Sequence, residues 1–71
     1  MRELRPQDVK ARIVALIRTS GGPAEVARLT QIPLPTLETC LYTDALPSAL
    51  TLARLSSLGV TVDWLLFGGQ R

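Results

Sequence analysis

The chain carries one cysteine, Cys40, and no histidine. Together these facts remove most reactive chemistry. A Ser-His-Asp triad, a Cys-His nucleophile pair and a zinc hydrolase each need a residue that is missing. No disulfide can close within the chain, and neither a GxGxxG loop nor a P-loop is present. The expectation is a protein that is not an enzyme and uses no metal and no cofactor. What remains is the chemistry of contact. Arg2, Arg5, Lys10, Arg12, Arg18, Arg28 and Arg54 can meet anions. One mid-chain stretch, "LTQIPLPTLETCLYT" (29–43), sets Glu38, Thr39 and Tyr42 behind two prolines spaced two residues apart.

The frame that must position these groups is small. Seventy-one residues make one domain, residues 1–71, whose core supplies only about 3–5 kcal/mol without staples. Eight basic residues against six acidic ones give a net charge of +2, which is weakly basic and compatible with a polyanionic partner. No apolar run approaches the roughly 18 residues of a membrane span. The opening "MRELRPQDVK" lacks the apolar centre of a signal peptide. A cytoplasmic protein away from the membrane is expected.

Periodicity and punctuation divide the chain into five helices, at about 7–19, 23–30, 34–42, 48–58 and 61–67, after a flexible arm at 1–6. Val9, Ile13, Leu16 and Ile17 recur at i, i+4, i+7 and i+8, one apolar stripe of a helix. Gly21 and Gly22 stop it, and Pro23 opens the next, where its missing N–H costs nothing. Pro33 pushes Ile32 out of helical dihedrals and ends the second helix; Pro35 fits the first turn of the third. The prolines thus stiffen a turn of about four residues between two short helices, a helix-turn-helix. Ser48 reads as an N-cap for the fourth helix, whose inner stripe is Leu52, Leu55 and Leu58 with small Ala49 and Ser56. Gly59 ends that helix. The expected core is Val9, Ile13, Leu16, Val26, Leu29, Leu37, Leu52, Leu55, Trp64 and Leu65, with Cys40 in phase with Leu37. No strand pattern or internal repeat appears.

Over roughly residues 7–68 the chain resembles the five-helix DNA-binding domain of lambda-type phage repressors and Cro-like regulators. Val26, Ala27, Ile32, Leu37 and Cys40 fall at the family's buried helix-turn-helix positions, with Ala27 as the small residue at the helix crossing. The segment "LPSALTLARLSSLGVTVDWLLFG" (46–68) is similar to its fourth and fifth helices almost residue by residue. The resemblance implies an all-α, lambda-repressor-like five-helix bundle. It also implies a sequence-specific transcriptional regulator of double-stranded DNA, probing the major groove with its third helix as a homodimer in a bacterial or phage-infected cell.

Two departures stand out. Gln31 occupies a turn position where the family usually has glycine, so it is strained in the left-handed region, at roughly 1 kcal/mol, or the turn differs. The third helix's outward positions hold Pro33, Leu34, Pro35, Glu38, Thr39 and Tyr42 in place of the usual Gln, Arg, Ser or Asn. Glu can accept from cytosine N4, Thr can bond a base edge, and Leu can pack on thymine methyls, but none makes the bidentate purine contact. Thr36 and the first N–H groups of helices two and three are candidate phosphate donors. Arg28 is the expected phosphate contact, because helix two crosses the backbone in this motif. Arg2, Arg5, Lys10, Arg12 and Arg18 are further backbone or arm candidates. Trp64, Leu66 and Phe67 are candidate dimer contacts. The competing reading is a protein-interaction module on the same fold, docking through Leu34, Leu41 and Tyr42 beside Glu38.

Overall fold

Prolines and glycines set most of the helix ends. The computed structural model describes residues 3–69, so Arg2 lies outside the described residues. Helix α1 (Pro6–Thr19) starts on a proline and stops where Gly21 and Gly22 turn at φ 104° and 91°. Helix α2 (Pro23–Thr30) again starts on a proline. Helix α3 (Leu34–Tyr42) follows after three residues, Gln31 to Pro33, with both helix ends where the sequence places them. Helices α4 (Ala49–Leu55) and α5 (Val62–Phe67) are capped by hydroxyls. Ser48 Oγ accepts from the Thr51 N–H at 3.3 Å, and Thr61 Oγ1 accepts from the Trp64 N–H at 3.0 Å. Each cap satisfies an otherwise orphaned donor.

The result is an all-α bundle of five helices, with no strand among the described residues. α1 packs against α3 and α5, α2 against α3, and α4 against α5. The core is one cluster: Val9, Ile13, Leu16 and Ile17 from α1, Val26 from α2, Leu37 and Cys40 from α3, Leu52 and Leu55 from α4, and Leu65 from α5, joined by Ile32 and Val60 from the connections.

Four expectations need correction. Leu29 is half exposed, at 50%, because the inward line of α2 runs through Val26 and Thr30 and Ile32 fills the space beyond. Thr30 tolerates burial because its hydroxyl donates to the Val26 carbonyl at 2.6 Å. Trp64 is only partly buried; in a helix of six residues Leu65 alone points fully inward, and Trp64 and Leu66 pack at the edge of the cluster. The fourth helix stops at Leu55 and tightens into a 3₁₀ turn over Ser56–Leu58. There Ser56 and Ser57 donate their hydroxyls back to the Ala53 and Arg54 carbonyls, competing with the helical pattern. Ala49 is exposed, and the inward small residue is Thr51.

Candidate functional site

The α2–turn–α3 unit is built around one unusual peptide. Gln31 sits at φ 62°, ψ 21°, the one non-glycine residue with positive φ among those described. Of the two sequence expectations, strain or a different turn, the geometry is the strained left-handed one, at a cost of about 1 kcal/mol. Several contacts hold it. The Gln31 N–H donates to the Ala27 carbonyl at 2.9 Å. The Ile32 N–H donates to Thr30 Oγ1 at 3.3 Å, and the Ile32 side chain is buried. From α4, Arg54 Nη1 donates to the Gln31 carbonyl at 2.9 Å.

α3 has two unlike faces. Leu37 is fully buried and Cys40 nearly so, and burial pushes the Cys40 thiol pKa up, leaving it a core residue. Pro33, Leu34, Pro35, Glu38, Thr39 and Tyr42 are exposed, Tyr42 at 76%, and Thr36 is half-buried. The first turn is poor in main-chain donors. Pro33 and Pro35 have none, and the Thr36 and Leu37 N–H groups both go to the Pro33 carbonyl, at 3.0 and 3.3 Å. Only the Leu34 N–H is left for an anion there. At the start of α2, Pro23 contributes no donor and the Val26 N–H goes to Gly22, leaving those of Ala24 and Glu25. Thr39 Oγ1 donates to the Pro35 carbonyl at 3.0 Å, so toward solvent it can act only as an acceptor. The outward face of α3 therefore offers the Glu38 carboxylate, the Thr39 oxygen, the Tyr42 phenol and apolar carbon, with no cation.

The expected cations are separated by the structure into two groups. Arg28 forks onto Glu25, Nε to Oε1 at 2.7 Å and Nη2 to Oε2 at 2.6 Å. This hydrogen bond holds the Glu25 carboxyl below its ordinary pKa and raises that of Arg28. Lys10 reaches Asp44 at 3.4 Å and Arg5 reaches Glu3 at 3.2 Å. Arg18 is exposed, with no partner among the described residues. All four side chains stay on the surface within reach of a polyanion. Arg12 does not: its Nε and Nη2 donate to the Leu65 and Leu66 carbonyls at 3.0 and 2.9 Å. It caps the C-terminal end of α5, where a positive charge suits the helix dipole. A Cβ built on Gly68 would lie 2.9 Å from Arg12 Nη1, so the glycine makes room for that cap.

A shallow, open depression of about 560 Å³ lies along the outer face of α1, lined by residues including Lys10, Ala11, Val14 and Arg18. Trp64, Leu66 and Phe67 are partly buried, and the well-exposed large apolar side chains are Leu4, Leu29, Leu34, Tyr42, Leu46 and Leu50. Among the described residues no group of three metal-ligating side chains occurs, and no helix is long and apolar enough to cross a membrane. A comparison with protein families, curated proteins and solved structures finds no match to the chain.

Arg54 is the residue whose role the sequence concealed; it reads there only as one more basic side chain on the fourth helix. The available signal was Gln31, whose non-glycine identity at a left-handed position calls for outside support. The Glu25–Arg28 pair, at i and i+3, was readable from spacing alone.

Proposed function

We propose that the chain is a helix-turn-helix DNA-binding module, a transcriptional regulator of the phage-repressor or Cro kind. It presents α3 to the major groove of double-stranded DNA in the cytoplasm of a bacterial or phage-infected cell. The observation that carries this reading is the α2–turn–α3 unit itself: its inner face is closed by Val26, Ile32 and Leu37, while positions 34, 35, 38, 39 and 42 stand free on one side. The resemblance of residues 46–68 to the family's last two helices supports it. Arg28, Arg18, Lys10 and Arg5 supply the phosphate contacts. The partners of Arg28, Lys10 and Arg5 are surface carboxylates in water, readily exchanged for phosphate oxygens. Leu34, Glu38, Thr39 and Tyr42 add modest discrimination at cytosine and thymine. Two copies pair on a palindromic site, which doubles the contacts available to so small a domain.

A salt-titrated binding measurement on random and selected duplexes tests this. The expected result is binding at low salt that falls as a power of salt concentration, with a slope of about 0.9 per phosphate contacted, and tighter binding to a selected site. Absence of binding to any duplex at low salt overturns it.

A second reading draws on a specific observation, the cation-free outward face of α3 with exposed Leu34 and Tyr42. On this reading the fold serves as a protein-docking module, and Leu34→Ala or Tyr42→Ala abolishes a protein complex while no DNA is bound.

A further inference from the structure

We infer that Arg54 is a positioning residue for α3: it fixes the peptide group between Gln31 and Ile32 and so sets the angle at which α3 leaves the turn. Its consequence for DNA rests on the DNA-binding reading above; its consequence for the turn does not.

That peptide group is tied at both ends. Its carbonyl accepts from Arg54 Nη1 at 2.9 Å, and its N–H donates to Thr30 Oγ1 at 3.3 Å. The two bonds oppose free rotation of a peptide whose left-handed residue would otherwise relax toward a commoner conformation. Arg54 is well placed for the task. Its neighbours Leu52 and Leu55 are buried, so α4 is a rigid base, and the arginine reaches across 23 residues of sequence. Gln31 is also the C-cap of α2, so the guanidinium meets the negative end of that helix's dipole.

The turn acts as a short lever. α3 has nine residues and is roughly 13 Å long, so a rotation of about 10° at its start moves Tyr42 by ~2 Å. Displacements of that size separate a side chain that meets a base edge from one that does not. Arg54 therefore acts on readout without touching the ligand, unlike Arg28, which the proposal places on phosphate. A glycine at position 31 would remove the strain at its source and make the turn less dependent on the arginine.

Arg54→Met keeps the aliphatic stem and removes the donors. In the free protein, amide hydrogen exchange at Gln31 and Ile32 should accelerate about three- to tenfold, in line with one lost hydrogen bond. Exchange at Leu16 and Leu65 should not change, and Arg54→Lys should restore part of the protection. On a selected duplex, Arg54→Met should weaken binding by a similar factor with an unchanged salt slope, and adding Gln31→Gly should recover most of the loss. Unchanged exchange at Gln31 and Ile32 overturns the inference. So does a salt slope flattened by about one unit, which would place Arg54 on a phosphate, and so does general loss of helix in Arg54→Met. If the wild-type chain binds no DNA, the DNA reading fails while the exchange comparison still decides the role of Arg54.

Discussion

The two faces of α3 obey different rules. Leu37 and Cys40 on one side are set by packing: they fill a closed space between α1 and α2, and little else would fit. Glu38, Thr39 and Tyr42 on the other side touch little of their own chain beyond a backbone carbonyl. The fold places no demand on their identity. A reader of the inner face learns the architecture, and only the outer face carries information about a partner. The same division runs through α2, where Val26 is fully buried and Leu29, three residues on, is half exposed.

Breaking the inner face should give the largest effect. Leu37→Ala is expected to cost about 2–5 kcal/mol, enough to unfold much of a domain this small. Leu29→Ala should cost well under half as much, since it empties no cavity. Thermal or urea unfolding of the two variants checks the contrast, and equal losses would show that the two positions are not distinguished by burial. The outer edge of α2 comes next. Arg28→Ala should weaken binding on every duplex and flatten the salt slope by about one unit, with folding little altered; a titration over salt concentration reads both. Glu38→Gln should have the smallest effect and the most specific. It removes a carboxylate from a phosphate-lined groove and supplies an amide that can read adenine. Slightly tighter non-specific binding and a changed preference at one base position are expected from a selection on randomised duplexes.

How far the sequence revealed this arrangement depends on the kind of signal. The α1 stripe of Val9, Ile13, Leu16 and Ile17 was fully legible because fourteen residues give periodicity room to speak. So were the ends at Gly21, Gly22 and Pro23, where the backbone chemistry of the residue itself decides. The two-turn α2 was not: with eight residues, a one-position error moves the apparent stripe, and the inward position is Thr30 rather than Leu29. The 3₁₀ ending after Leu55 depends on Ser56 and Ser57 bonding backward, which pattern alone does not predict. For the candidate site, the exposed set on α3 followed from helical phase once Leu37 was placed inside. The division of labour among the arginines did not, because Arg12 and Arg54 find carbonyl acceptors more than twenty residues away along the chain.

Arg12 has a consequence for the order of events during synthesis. Its two acceptors belong to Leu65 and Leu66, so the bonds that fasten α5 to α1 span more than fifty residues. A growing chain emerging from the ribosome has α1 free early, yet the residues that complete its packing are made more than fifty residues later. Until then the stripe of Val9, Ile13 and Ile17 is only partly covered. Assembly of this domain should accordingly be completed as a unit, close to the end of translation of these residues. A chain stalled before Leu65 would remain an open and sticky intermediate.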